Sequence, residues 1–372
     1  MVEIIEVKTR KQRKEFVKFP LRLYKGNKYF VPPLFGDEMK MFTEKNVYYN
    51  TCLSAFYLAL RDGKTVGRIQ GIVQKQYNEI HGTQQVRFTR FDCIEDEEVA
   101  KALFEAVEAW GKANGMTEMV GPLGYSDLER EGLLIEGFDQ ISTFEEQYNY
   151  EYYQKLIENH GFVKEIDWYE SKLYAPETVD KRYEEISTAM MKKYDLKFVE
   201  AKNSFDFVKK YGDKFFDVLD KTYEEIYQSV PFTPKMKKSL IDGFKFIINM
   251  DYTIVIVDKN NDIVAFGIAF PAIGKELQKS KGKLTPLAIL RLLKVIKNPK
   301  WVDLGLIGVI PEYRGKAIAT AILNRMMKFL CNGKITHAET NLTLETNANI
   351  LNQWKAFKTV RHKKRRAFVK TL

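Results

Sequence analysis

Apolar and polar positions alternate through "AFYLALRDGKTVGRIQGIV" (55–73) on both sides of an Asp-Gly pair, which predicts two strands joined by a two-residue hairpin turn. "VRFTRFDCI" (86–94) reads as a third strand. The period then changes. Val99, Ala102, Leu103, Ala106, Val107 and Trp110 recur on one helical face, predicting a helix over 99–114 closed by Gly115. A strand at "EMVGPLGYS" (118–126) and a helix in "NYEYYQKLIENHGF" (149–162), ending at Gly161, complete the series. The same order returns further on: the hairpin "YTIVIVDKNNDIVAFGIAF" (252–270), the strand "VDLGLIGVI" (302–310), a helix over 317–330, the strand "THAETNLTL" (336–344) and the helix "ANILNQWKAF" (348–357). A long-period internal repeat of this kind predicts two similar α/β domains, each a mixed, mostly antiparallel sheet flanked by helices. "YAPETVDKRY" (174–183) interrupts the pattern with a proline and a charge run, so the domains are expected at 1–175 and 184–372.

A chain of 372 residues exceeds one ordinary core, and 45% hydrophobic with 29% charged residues suits two folded domains. No stretch is long and apolar enough to span a bilayer, and the opening "MVEIIEVKTRKQRKEF" is too charged for a signal peptide, so a cytoplasmic protein is expected, or one resting on the inner membrane. Cys52, Cys93 and Cys331 have no paired spacing and the four histidines are scattered, which supports neither a disulfide framework nor a metal site. The net charge of +10 suits an anionic partner of some kind. Its sharpest cluster, "RHKKRR" (361–366), runs into the alternating "RAFVKTL" and reads as a basic hairpin on a sheet edge.

The chemistry is concentrated in "VIPEYRGKAIATAIL" (309–323), a strand that stops at Pro311, makes a cationic turn and enters a helix. A helix start leaves backbone N–H groups unpaired at a partially positive end, so a small-residue cationic turn there suits a phosphate-bearing ligand. The corresponding place in the first half holds Glu95, Asp96, Glu97 and Glu98, which satisfy the helix start themselves and repel phosphate.

Hairpin, strand, helix, strand, helix and closing strand, given twice, resemble the GNAT acyltransferase superfamily over nearly the whole chain. The superfamily's phosphate loop reads Arg/Gln-x-x-Gly-x-Gly/Ala, and Arg314, Gly315, Lys316, Ala317, Ile318 and Ala319 stand in its place, with Ala317 replacing the central glycine. "YFVPPLFGDE", "GKTVGRI", "EGLLIEGFD" and "YYQKLIENHGF" further resemble a bacterial family of tandem GNAT proteins. The resemblance implies an N-acyltransferase that moves an acyl group from acyl-CoA, acetyl-CoA or an acyl carrier protein to an amine, without a metal. It implies a donor site from Val309 through the loop to Asn347, a helix N-cap that also reaches the pantetheine arm. Glu345, then Glu339, are the candidates to orient the amine. The family's thiolate-protonating tyrosine is replaced by Trp354, whose indole is no acid near neutral pH, leaving solvent or Tyr313 for that role. The first half is expected to have lost donor binding, and either lines the acceptor cleft or buttresses the second.

Two other functions fit the same residues. One is an aminoacyl-tRNA-dependent transferase like the Fem enzymes, which pair two GNAT units; the cationic loop argues against it, so nucleic acid is not expected as a partner. The other is a non-catalytic acyl or CoA-binding protein, suggested by Ala317 and Trp354. An insert before the 302–310 strand adds a helix after Pro286, with Ile289, Leu292, Leu293 and Ile296 on one face and Arg291, Lys294 and Lys297 away from its centre. It reads as a cover for a long acyl chain, as a contact with an anionic membrane, or as packing against the first domain.

Overall fold

The computed structural model describes residues 1–372. Its elements are, in order, β1 (Glu3–Glu6), α1 (Arg10–Leu23), α2 (Phe35–Lys40), β2 (Cys52–Arg61), β3 (Lys64–Gln74), α3 (Lys75–His81), β4 (Gln85–Cys93), α4 (Glu97–Ala113), β5 (Glu118–Gly121), β6 (Leu133–Glu136), α5 (Tyr152–Asn159) and β7 (Val163–Tyr174). The second series is α6 (Lys181–Lys193), β8 (Lys197–Phe198), α7 (Ser204–Tyr223), α8 (Pro234–Ile247), β9 (Thr253–Val257), β10 (Ile263–Pro271) and α9 (Gly274–Ser280). It continues with α10 (Pro286–Lys297), β11 (Val302–Val309), α11 (Ile318–Cys331), β12 (Ala338–Thr340), β13 (Thr343–Leu344), α12 (Ala348–Gln353) and β14 (Lys358–Thr371).

Two compact units share these elements by exchanging segments of chain. The first comprises Met1–Tyr169, Gly274–Ile289 and Lys363–Leu372; the second comprises Glu170–Ile273 and Leu290–His362. In the first unit β1 to β5 lie side by side in chain order, and the end of β14 pairs antiparallel with β5, Phe368 opposite Gly121. The β2–β3 turn places Asp62 and Gly63 at φ 51° and 71°, the left-handed pair that matches the twist of a two-residue hairpin. Asp96 caps α4, whose Val99, Leu103, Phe104 and Val107 are sealed against the strands. In the second unit the order is β8-β9-β10-β11-β12, with the end of β7 beside β12, Leu173 opposite Ala338. Ile318, Ala321, Ile322 and Met326 of α11 close the core on that sheet with Ile254, Ile256 and Val264.

Each unit contains the same device. Parallel β4 and β5 pair only over Gln85, Val86 and Arg87, although β4 runs on to Cys93. Parallel β11 and β12 pair only over Val302, Asp303 and Leu304, although β11 runs on to Val309. The strands then part at a notch, where side chains take over from the neighbouring strand: the Ile307 N–H of β11 donates to the Tyr223 hydroxyl at 3.3 Å, and that hydroxyl lies 3.4 Å from the Ile307 carbonyl. A bulge in β11 lies beside the parting: Ile268 faces Leu306 and Ala269 faces Leu304, so Gly305 is the extra residue. A Cβ on Gly305 would stand 2.1 Å from the ring of buried Phe270, which is why that position carries glycine.

The basic run 361–366 departs from expectation. It lies within β14 rather than in an exposed hairpin: Lys363 and Arg365 are fully buried, and the strand pairs with β6 over Lys364, Arg365 and Arg366. Arg366 and Lys364 converge on buried Asp167 at 2.7 and 2.9 Å. Burial alone would raise that carboxyl, but the hydrogen bonds from Arg366, Lys364 and Lys164 hold it well below the usual carboxylate range. Internal carboxylates neutralise these cations, a pairing that local alternation cannot reveal.

Candidate active site

The cationic turn leaves β11 at Val309 and passes through one tight turn (Pro311–Tyr313) into α11. Tyr313 and Arg314 donate backbone bonds to Ile310 and Pro311. The amides of Gly315, Ala317, Ile318 and Ala319 donate none, and no side chain caps the helix. Ala317 sits at φ 56°, ψ 20°, a left-handed conformation that glycine adopts without cost and alanine does not. The turn therefore presents free N–H groups at exposed Gly315 and Ala317, at the positive end of a four-turn helix whose first residue, Ile318, is locked into the core. Arg314 lies along the rim, its Nε 3.3 Å from the Val309 carbonyl and its Nη1 3.5 Å from exposed Glu225. Lys316 Nζ rests 4.9 Å from the Tyr313 ring and 5.2 Å from the Tyr194 ring. Burial pushes the Tyr313 phenol above its ordinary value, so it stays protonated at neutral pH.

The two candidate carboxylates occupy different surroundings. Glu339 is buried in the middle of the sheet, with Asp303 beside it on β11 and Lys172 beside it on β7. Its Oε1 lies 3.3 Å from His362 Nε2. Neighbouring His337 is pushed down to about 4, chiefly by burial and then by Lys172 and His362 against the pull of Glu339, so it is neutral at physiological pH. Glu345 is half-buried in the turn after β13, where the strand pattern has ended. Two residues on, Asn347 caps α12 by accepting from the Ile350 amide at 3.2 Å. Trp354 packs into the core of the second unit, 5% exposed.

At the matching place in the first unit the positions are taken. Asp96 accepts from the Val99 amide at 3.1 Å, and Arg61 bridges Asp96 and Glu98 at 2.7 and 2.8 Å. The Cys93 amide donates to the Tyr153 hydroxyl. What this unit holds instead is a buried ionic network that pattern reading missed. Arg90 grips Glu38 through two nitrogens and reaches Gln70 at 2.9 Å; Arg68 pairs with Asp92, which accepts from Tyr24 at 2.8 Å. Burial would raise the Glu38 carboxyl, but the charges of Arg90, Arg130 and Arg68 and the Arg90 hydrogen bonds together outweigh it and hold that group at about 2. One signal was available: in "VRFTRFDC" charged and polar residues recur within a strand otherwise apolar enough to be buried on both faces.

Parted parallel strands, a bulge and a bare helix start define the class: this chain carries the GNAT acyltransferase fold, in tandem. A tandem GNAT protein from the clavulanic acid biosynthesis pathway matches 100% of this chain and 98% of its own at TM-score 0.57, with 10% identity. A GCN5-related glucosamine N-acetyltransferase region of a fungal multi-domain β-N-acetylglucosaminidase matches at TM-score 0.58 and 11% identity, over 38% of that longer chain. No known family profile matches. In sequence, the chain is 26% identical over 368 residues to Protein YghO of Escherichia coli K12, covering 96% of this chain and 93% of that one. It is 27% identical over 336 residues to the bacterial ceramide synthase of Caulobacter vibrioides, covering 88% and 84%.

Proposed function

We propose that the protein is an N-acyltransferase whose reaction is centred in the second unit, with an acyl-CoA or acyl carrier protein as donor and an amphiphilic amine as acceptor. The observation that carries this reading is the row of undonated amides at Gly315, Ala317, Ile318 and Ala319, flanked by Arg314 and Lys316 where β11 leaves its neighbour. Those amides would hold the donor's pyrophosphate, and the two side chains would add charge-assisted contacts. The edge of β11 ending at Val309 would take the pantetheine arm as a strand would, the arm displacing the Tyr223 hydroxyl from the Ile307 N–H and carbonyl, and Asn347 would contact the arm as well. The acceptor nitrogen attacks the thioester carbonyl, forming the amide bond as the carbon–sulfur bond breaks. Glu345 takes the proton lost by nitrogen, and the Tyr313 phenol returns one to the leaving thiolate. Glu339 is the second choice as base; its burial beside His362 suits a structural pair better.

The acceptor class rests on the Caulobacter relative's name. A ceramide is the amide of a long-chain amino alcohol, so a long-chain base is the amine to try first. Donor and acceptor would meet in the cytoplasm, where acyl-CoA and acyl carrier protein are found. The test is calorimetry with CoA and its acetyl, octanoyl and palmitoyl thioesters, followed by mass-spectrometric detection of the amide formed with a long-chain base. One donor site per chain and an N-acylated product are expected, because the first unit's helix start is occupied by its own carboxylates. Two equivalent donor sites would overturn the asymmetry. Failure of CoA thioesters and acyl carrier protein alike to bind or to transfer would overturn the function.

A further inference from the structure

The sequence predicted an apolar face of Ile289, Leu292, Leu293 and Ile296 on α10. In the fold the helix is turned so that Ala288 and Leu292 are buried and Val295 and Ile296 are half-buried, while Leu287, Leu290 and Leu293 face outward at 57%, 66% and 55% exposure. Leu284, just before the helix, is 55% exposed as well. Single exposed leucines are ordinary on a protein surface; a row of them at three-residue spacing on one short segment is not.

Charge distinguishes this row further. Between Glu276 and Asp303 the chain contains no carboxylate. Lys279 is paired with Glu276, but Lys281, Lys283, Arg291, Lys294, Lys297 and Lys300 make no ion pair. At about 100° per residue the outward arc of α10 reads Leu293, Lys297, Leu290, Lys294, Leu287, Arg291, so cations alternate with leucines around it. Such interleaving suits a boundary at which leucines enter hydrocarbon while the long cationic stems reach back to a layer of negative charge. It suits other partners poorly. A second copy meeting this face across a two-fold axis would set like charges together, and a nucleic acid would leave the leucines uncovered. No helix of the protein is long and apolar enough to cross a membrane, and α10 has 12 residues, so the contact is one of lying on a surface.

We propose that α10 and the segment before it form an interfacial anchor that seats the protein on an anionic lipid bilayer, with Leu284, Leu287, Leu290 and Leu293 at the acyl boundary and the unpaired cations at the headgroups. Its burial of Ala288 and Leu292 holds the helix to the protein on the opposite side. The anchor is independent of which acyl donor or acceptor is used, and its test needs no turnover.

The full-length protein is sedimented with vesicles of phosphatidylcholine alone and of phosphatidylcholine with phosphatidylglycerol, at low and high salt. Binding should require phosphatidylglycerol and fall steeply as salt shortens the screening length. Arg291→Ser/Lys294→Ser/Lys297→Ser should weaken partitioning by about 100-fold, since each cation near such a surface contributes roughly a factor of five. Leu290→Gln/Leu293→Gln should weaken it by about 10-fold or more. All five side chains are exposed or nearly so, and unchanged melting curves would show that both variants fold. Equal binding to neutral vesicles, or full binding by either variant, would overturn the proposal. So would velocity sedimentation showing that the leucine variant dissolves a dimer of the wild type, which would make this face a contact between copies.

Discussion

Ala317→Gly tests the loop with the smallest possible change. An L-residue in the left-handed region costs about 1–2 kcal/mol, and Ala317 bears that cost at φ 56°, ψ 20°. Glycine removes it but adds about 0.5–1 kcal/mol of unfolded-chain entropy to be lost on folding. The net gain is about 0–1.5 kcal/mol, which for a unit of this size corresponds to a rise in Tm of up to about 6 °C. Because the Ala317 methyl is exposed, no packing is lost to offset that gain. The same deletion opens the approach to the amides of Ala317 and Ile318, so CoA affinity should be kept or raised. Calorimetric melting with and without CoA reads both effects, since ligand at about 100 times its Kd adds about 2.7 kcal/mol to the folded state. A variant that melts below the wild type would refute the strain argument. One that melts higher but binds CoA tenfold more weakly would refute the cradle.

Arg314→Glu with Lys316→Glu should abolish CoA binding while leaving the melting temperature within a degree or two, because both side chains lie on the surface; retained binding in a fluorescence titration would sink the donor assignment. Glu345→Gln should lower kcat at saturating donor by about 100-fold or more without altering donor Kd, and full activity would move the base to Glu339 or to water. Gly305→Ala should destabilise the second unit by about 1–3 kcal/mol in urea unfolding, since its Cβ would meet the Phe270 ring at 2.1 Å; an unchanged midpoint would show that the bulge tolerates a side chain. Glu38→Gln should cost about 3–5 kcal/mol at pH 7 by taking from buried Arg90 its closer carboxylate, at 3.0 Å, and leaving only Glu129 at 3.9 Å. The folded value of Glu38, about 2, lies below its unfolded 4.5, so the pair's contribution is complete above pH 4.5 and is lost as pH falls toward 2. The gap between wild type and variant should therefore narrow by pH 3, and a constant gap would contradict the pairing.

Local pattern was enough wherever local rules decide the outcome. The 99–114 helix is α4 (Glu97–Ala113) to within two residues, because its apolar period and closing Gly115 are both near-neighbour signals. The Asp62-Gly63 hairpin and the Asn347 cap were legible for the same reason. The predicted face of α4 was off by part of a turn: Ala100 and Phe104 are buried where Ala102 and Ala106 are only half-buried, since the sheet beneath chooses among similar apolar stripes. Distant partners escaped entirely. Nothing near 361–366 announces that Lys364 and Arg366 will meet Asp167, and nothing near Glu38 announces Arg90. At the site, residue types pointed to the cationic turn at 314–319, but the left-handed backbone at Ala317 is invisible in a residue that usually avoids it. Glu345 lies past the strand's end, but the strand expected to run unbroken over 336–344 is interrupted between β12 (Ala338–Thr340) and β13 (Thr343–Leu344).

The exchanged strand sets a condition on how this protein can be made. A ribosome that has delivered the first 175 residues has not delivered everything the first unit needs, since β5 gains its second neighbour only when Phe368 to Thr371 emerge. Until then the unit carries an open strand edge, the kind of surface that chaperones hold and that pairs wrongly with other chains. The two repeats are thus not beads on a string. A gene cut between them would leave the earlier one without its closing strand, and the order of synthesis makes the later repeat a precondition for finishing the earlier one.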